Sequence, residues 1–286
     1  MGKQIFRGGT SMSLRISTNL PSLMAQSQLS KSTRELQKAY SELSTGSKHG
    51  MGNSDAAGFS IAEGLRADLA GLKAAENNAG MAASFVKTAE GGLNEENNIL
   101  IRMRELAIQA ASDTYSDQER GFIDMEFTQL KEELDRIAKT TSFGSRPLLK
   151  GDTQSYEFQV GIRAGEENRI NYTNSTDTTA DALGVSGLSI SDKGEARDSL
   201  EDIDEGLTKI AQARAQFGAV QSRLESAEDF LSRHSINIAE AHSRVADANI
   251  PEAISRARKN EVLQQYQAQV LSMANAQAGL ALKLVG

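Results

Sequence analysis

The sequence predicts a mainly α, elongated protein: long antiparallel helical rods with coiled-coil packing, a small β-hairpin, and paired N- and C-terminal helices. Three observations carry this expectation. Strong helix formers (Ala, Leu, Gln, Glu, Lys, Arg) crowd a chain with 5% aromatic residues, 3 prolines and no Trp. Apolar residues recur at alternating steps of three and four over long stretches, the seam that lets helices pack side by side. Around Tyr156 the period changes to two, which marks strand.

Taken in order, residues 1–12 form an atypical N-terminal extension, and Met12 is a second candidate start. An N-terminal arm follows at 13–45, where Leu29, Thr33, Leu36, Tyr40 and Leu43 make a stripe. Three glycines between Gly46 and Asp55 read as a hinge. The segment 56–248 reads as a rod domain. Its first seam runs through Leu65, Leu69, Leu72, Ala75, Ala79, Ala82, Val86, Ala89 and Leu93, then Leu100, Met103, Ala107 and Ala110. After a turn at Asp113 to Asp117, Ser116 and Glu119 have the spacing of a capping box, opening a helix with Ile123, Phe127, Leu130, Leu134 and Ile137 on one face. Three antiparallel rods are expected, counting the last and longest seam.

Between the second and third rods, Tyr156, Phe158 and Val160 alternate with polar residues, Gly161 to Asn168 reads as a turn, and Ile170 and Tyr172 resume the alternation, giving a hairpin near 155–173. The Ser/Thr/Asp/Gly-rich stretch from Asn174 to Glu195 reads as a surface connection. The last seam starts at Leu200 and Ile203 and passes through Phe217, Leu224, Leu231 and His234 to Ala248, a helix of roughly 70 Å at 1.5 Å per residue. Asn249-Ile250-Pro251 stops it, with Pro251 suited to the first turn of a C-terminal arm at 249–286.

The two arms carry the functional signal. From Val262 to Gly286 the only charge is Lys283, while Leu263, Tyr266, Val270, Met273, Leu280 and Leu284 keep heptad spacing. A neighbouring stripe of Leu271, Ala274, Ala278, Ala281 and Val285 widens the apolar surface, and Ile16 to Ser30 is likewise uncharged. A helix on a monomer's surface ordinarily keeps a charged outer face, so these arms suit surroundings of protein on nearly every side. Other copies of the chain can supply that cover, and a directional contact that does not close grows a filament. The competing arrangement folds both arms back onto the rods of the same molecule; the loss of charge in the arms, against rods rich in Glu, Lys and Arg, favours assembly.

Several function classes are disfavoured. A formal charge of −7 with no basic cluster argues against nucleic acid and anionic membrane. No cysteine is present, which excludes disulfides and thiolate metal sites and fits a chain exported unfolded through a channel. No apolar run approaches a membrane span, and Met1 to Arg15 lacks the apolar core of a cleaved signal. The first acidic residue, Glu35, follows five basic ones, a superficial match to an organelle transit peptide. His49, His234 and His242 have no metal-ligand spacing, and His234 is expected in a hydrogen-bonded layer on the core stripe. Gly50-Met51-Gly52-Asn53 lacks the strand and the Lys-Ser/Thr of a phosphate loop and reads as hinge. Glu95-Glu96 and Glu132-Glu133 read as solvated charge. No catalytic, cofactor or metal site is expected.

Several strings, in order and across almost the whole chain, resemble bacterial flagellin. They are Ile16-Ser17-Thr18-Asn19-Leu20, Leu43-Ser44-Thr45-Gly46, Asp55-Ala56-Ala57-Gly58, the helix segment Arg102-Met103-Arg104-Glu105-Leu106-Ala107-Ile108-Gln109, the hairpin string Phe158-Gln159-Val160-Gly161, Arg244-Val245-Ala246-Asp247, and Met273-Ala274-Asn275 through Leu282-Lys283-Leu284-Val285. The resemblance is to a short form lacking large outer domains. It implies a subunit that polymerises with itself into an extracellular flagellar filament, with the paired termini lining the central channel and the rods packing along protofilaments.

It also implies unfolded export through the flagellar type III apparatus, an export chaperone gripping the C-terminal arm, a cap and hook-associated proteins at the filament ends, and sister flagellins as co-assembly partners. Arg102, Leu106 and Glu126 stand where flagellins meet the innate receptor Toll-like receptor 5, although their role in holding rods together is the simpler reason for their presence. Ile101 replaces the polar residue common before that Arg, and Ala278 stands where the family often has Pro. The hook–filament junction protein shares the plan of paired termini; the Arg102 to Gln109 segment and the hairpin favour the filament subunit.

Overall fold

The computed structural model describes residues 19–49 and 55–285, with 277–285 as backbone only; the extension at 1–12, the Ile16-Ser17-Thr18 string and Gly50 to Asn53 lie outside the described residues. In chain order the elements are α1 (Leu20–Thr45), α2 (Ala56–Ala110), α3 (Asp117–Thr140), β1 (Ser142–Phe143), β2 (Arg146–Pro147), β3 (Gln154–Gln159), β4 (Arg169–Asn174), α4 (Ala180–Leu183), α5 (Lys193–Ala246) and α6 (Ile250–Val285). They form two compact units, one of Arg66–Ala239 and one of the residues before and after it. The mainly α class, the hairpin and the paired terminal helices expected from the sequence are all present.

In the unit of residues 66–239, the expected seams form the core. Leu93, Leu100, Met103 and Ala107 of α2, Phe127 and Leu134 of α3, and Ile203, Ile210, Phe217 and Leu224 of α5 are buried in one cluster. Each large side chain so buried contributes about 1.5–3 kcal/mol. The α2–α3 turn is closed as its spacing requires: the Ser116 hydroxyl accepts from the Glu119 amide at 3.4 Å, and the Glu119 carboxylate accepts from the Ser116 amide at 2.8 Å. Arg120 adds what the sequence did not announce. Its buried guanidinium donates to the carbonyls of Ala110 (2.9 Å) and Ser112 (3.0 Å), satisfying acceptors left open where α2 ends.

The hairpin pairs β3 and β4 antiparallel, with Tyr156 opposite Tyr172 and Phe158 opposite Ile170. Alternation places these rings on one face. Phe85 of α2 packs at 4.8 Å from the Tyr156 ring and 5.7 Å from Phe158, and Tyr172 lies 5.2 Å from Phe217 of α5. A smaller β1–β2 ladder, not anticipated from the sequence, turns at Gly144, whose φ of 64° is left-handed backbone open to glycine. Gly92 marks where α2 passes close to this region, since a Cβ there would sit 2.8 Å from both Thr141 Oγ1 and Leu149 Cδ1.

Three expectations are corrected. The stretch after Asn174 is not a surface connection: Asn174, Thr176, Thr178, Ala180, Leu183, Val185 and Ile190 are buried. Its polar members are tolerated inside because they find partners. Asn174 Nδ2 donates to the Leu148 carbonyl at 2.7 Å, and the Thr178 amide to the Leu149 carbonyl at 2.9 Å. Glu96 is not solvated charge either. It is 0% exposed, its Oε1 accepts from the Thr178 hydroxyl at 3.0 Å, and Oε2 has no partner among the described residues. Burial pushes its carboxyl up to about 8 against the lowering effect of the Thr178 bond, so it carries its proton at neutral pH. His234 belongs to no hydrogen-bonded core layer. Half-buried, it stacks on the exposed Phe230 ring (5.6 Å, 11°) beside an open groove of about 650 Å³ floored by Leu72, Ile170 and Leu231.

In the other unit α1 and α6 pack along each other. Asn19 caps α1, accepting from the Ser22 amide at 3.2 Å with Pro21 in the first turn, and Gly46 ends it with φ 67°. From there the chain is strapped to the end of α5. The Lys48 amide donates to the Ala246 carbonyl (2.7 Å), the Ala248 amide to the Gly46 carbonyl (2.8 Å), and His49 Nε2 lies 3.2 Å from the Val245 carbonyl. Pro251 falls in the first turn of α6, as its position predicts, with the Asn249 carbonyl accepting from the Ala253 amide.

Candidate self-association surface

The α1–α6 pair inverts the usual assignment of residue types. On α6 the positions turned inward are Ala253, Ala257, Asn260, Gln264, Gln267, Leu271 and Ala274, a strict four-three heptad walk in which the alanines are buried and the others half-buried. On α1 the matching walk is Ala25, Leu29, Ser32, Leu36, Ala39 and Leu43, beside a buried Glu42. Small residues let the two backbones approach closely, and polar contacts close the remaining gaps. Gln264 Nε2 donates to Thr33 Oγ1 at 2.7 Å, Ser22 Oγ to Asn275 Oδ1 at 2.8 Å, and Asn19 Nδ2 to the Ala274 carbonyl at 2.9 Å. Arg256 Nη2 donates to the Glu42 carboxylate, which is 5% exposed.

The large apolar side chains face out. Tyr266 is 63% exposed, Val270 54% and Met273 68%; Val262, Leu263, Ile250 and Ile254 of α6 and Leu20, Leu23, Met24 and Tyr40 of α1 are exposed as well. A buried alanine removes little more than one methyl from water, about 0.8 kcal/mol, whereas a Leu, Val or Met contributes about 1.5–3 kcal/mol when covered. The pair therefore leaves more apolar stabilisation available on its outside than it uses inside, and exposed patches of this kind mark interaction sites.

The residues singled out in the sequence thus fall on two faces. Leu29, Leu36 and Leu43 are half-buried along the α1–α6 seam, while Tyr40, Leu263, Tyr266, Val270 and Met273 point outward. The side chains of Leu280 and Leu284 lie outside the described residues. Apolar spacing in the sequence picks out Leu29, Leu36, Leu43, Leu271 and Ala274 of the inner seam; its polar members Ser32, Asn260, Gln264 and Gln267 are missed because a search for apolar residues passes over them.

The second set lies in the unit of residues 66–239. Arg102 of α2 donates through Nε (3.0 Å) and Nη2 (2.8 Å) to one oxygen of Glu126 on α3 and through Nη1 to Glu105 at 3.0 Å. Hydrogen bonds to Glu126 and then Glu105 raise the guanidinium above its ordinary range. Leu106 stands apart from that exposed ion pair. It is 2% exposed, inside the core. Among the described residues no cluster of His, Asp or Glu could hold a metal ion, and no helix is long and apolar enough to cross a membrane.

Comparison with known proteins places this arrangement. Residues 16–154 match a family model described as the bacterial flagellin N-terminal helical region, and residues 200–284 one described as the bacterial flagellin C-terminal helical region. A flagellin of Halalkalibacterium halodurans is 34% identical over 270 residues, covering 94% of this chain and 99% of the relative. The flagellar filament core protein flaB2 of Brachyspira hyodysenteriae is 33% identical over 285 residues, again with 94% and 99% covered. The crystal structure of Bacillus cereus flagellin superposes with a TM-score of 0.49 at 29% identity, covering 58% of this chain and 94% of that one. With two flagellin models matched in order and relatives aligned over nearly their full length, this chain belongs to the bacterial flagellin family.

Proposed function

We propose that this flagellin is the repeating structural subunit of a bacterial flagellar filament that serves swimming, and that it acts by assembly rather than by catalysis. The observation that carries the reading is the outward apolar stripe Tyr266, Val270 and Met273 on a helix already paired through its other face. Such a stripe is costly on a free monomer and stabilising once neighbouring copies cover it. On this reading residues 13–45 and 249–286 are the enclosed inner layer of the filament, 46–55 a hinge and 56–248 the rod domain.

The same stripe requires cover before assembly, which is the role of an export chaperone on the C-terminal arm. Cap and hook-associated proteins bound the filament at its ends, and sister flagellins sharing the same faces co-assemble with it. The location that follows is extracellular, after unfolded export. Recognition by Toll-like receptor 5, where it occurs, runs through the exposed Arg102–Glu126 pair, with Leu106 supporting it from the core.

The test is seeded polymerisation of the purified chain viewed by electron microscopy. The unaltered chain is expected to grow long tubes, whereas Val270→Asp and Met273→Asp stay soluble and helical by circular dichroism and grow none. Long filaments from both variants would overturn the reading, and short or absent polymer from the unaltered chain would favour the hook–filament junction role.

A further inference from the structure

A heptad seam is a poor ruler. On α1 the small residues Ala25, Ser32 and Ala39 recur every seven positions, as do Leu29, Leu36 and Leu43, so sliding α1 by a heptad, roughly 10 Å, sets a small residue where a small one stood and a leucine where a leucine stood. The polar contacts do not tolerate that slip. They pair 22 with 275, 33 with 264 and 42 with 256, and these positions sum to nearly the same value, which defines a single antiparallel register.

We propose that the Glu42–Arg256 ion pair, seconded by Thr33–Gln264, is the register key of the two arms. It fixes which outward apolar residues of α1 and α6 stand side by side, and so specifies the face presented to the next subunit. Glu42 is the residue that enforces it: with 5% of its surface exposed, it depends on Arg256 for its counter-charge. One heptad of slip sets it level with Asn249 or Leu263 instead, burying a carboxylate without a cation, and breaking a buried pair in this way is strongly unfavourable even where the pair itself adds little net stability. The same slip carries Gln264 from Thr33 and sets Ala257 or Leu271 there. A polar contact in an otherwise permissive seam is the best-attested device for fixing helix register. The functional consequence rests on the filament reading; the register itself does not.

The chain has no cysteine, so introduced cysteines report register without background. Ser22→Cys with Asn275→Cys joins side chains that touch at 2.8 Å in the observed register, and Ser22→Cys with Ala268→Cys joins those brought level by one heptad of slip. In the otherwise native chain the first pair is expected to oxidise to a disulfide and the second to remain free.

In a Glu42→Leu/Arg256→Leu background the slipped cross-link should appear and the native-to-slipped ratio fall by about tenfold or more, and Glu42→Arg/Arg256→Glu should restore it. Exclusive native cross-linking in the leucine background overturns the proposal. Should the leucine chain lose both cross-links through misfolding, the charge-swapped chain decides: a retained native cross-link supports the key, and its loss overturns it. Seeded polymerisation of the same chains separates the two readings, because an unaltered chain that cross-links natively yet never forms filaments sinks the filament function and leaves the register key standing.

Discussion

The core of residues 66–239 and the seam between α1 and α6 follow the same heptad geometry with opposite chemistry. Around α2 and α5, Leu, Met, Ile and Phe point inward and Arg104–Asp204 or Arg102–Glu126 pairs face water. Between α1 and α6, alanine and amide side chains point inward with Leu29, Leu36, Leu43 and Leu271 only half-buried among them, while Tyr, Val and Met face water. The first arrangement closes a large core within one chain, although Met81, Phe122, Met125 and Phe230 remain exposed on its outside. The second does not, because the stabilisation its large side chains offer is realised only against another surface. Where a helix puts its large apolar residues therefore tells whether its partner is already present, and a heptad pattern by itself does not.

The sharpest way to break this comparison is to damage the large core. Phe217→Ala removes a fully buried ring packed against Tyr172 and should lower the stability of its unit by about 3–5 kcal/mol, read by urea denaturation. A loss below about 1 kcal/mol would mean the core is not shared between α5 and the hairpin. Next comes the pH response of Glu96. Its carboxyl is raised to about 8 in the folded chain against 4.5 ordinarily. Between those values the unfolded chain releases the proton and the folded chain keeps it, so stability falls as pH rises, by up to about 1.4 kcal/mol per pH unit, and levels off on either side. Glu96→Gln should flatten that slope in denaturation curves taken from pH 5 to 8; an unchanged slope assigns the effect elsewhere.

Glu96 also shows why the legible part of the sequence ended where it did. The α2 seam reads 89, 93, 100, 103, 107, and the step from Leu93 to Leu100 skips the position where a seam residue belongs. Position 96 fills it, so the gap itself was the signal of a buried carboxyl. The stretch after the hairpin hid in the same manner: Ile170, Tyr172, Asn174, Thr176, Thr178 and Ala180 are all buried at period two, but four of them are polar or small and resemble loop composition. The long seams, the capping box, the hairpin and the stop before Pro251 were readable because apolar spacing and turn chemistry are local. Which polar side chains would be satisfied inside, and which face of α6 was already occupied, depend on partners far away in sequence.

A smaller effect tests the local end of that claim. Ser116→Ala removes the hydroxyl half of the capping box and should cost about 1 kcal/mol, visible as a lowered urea midpoint with unchanged slope. The smallest effect is the most telling. Tyr266→Ser strips an aromatic ring, yet that ring is 63% exposed and lies on the outer face of α6, so the stability of the free subunit should change by no more than about 0.5 kcal/mol. A ring of similar size at Phe217 is worth several times that, and the difference between the two measurements is the apolar stabilisation the arms hold in reserve for a neighbouring copy. If Tyr266→Ser destabilised the free subunit as much as Phe217→Ala, its ring would have to be packed within the monomer in solution, and the arms would be complete by themselves.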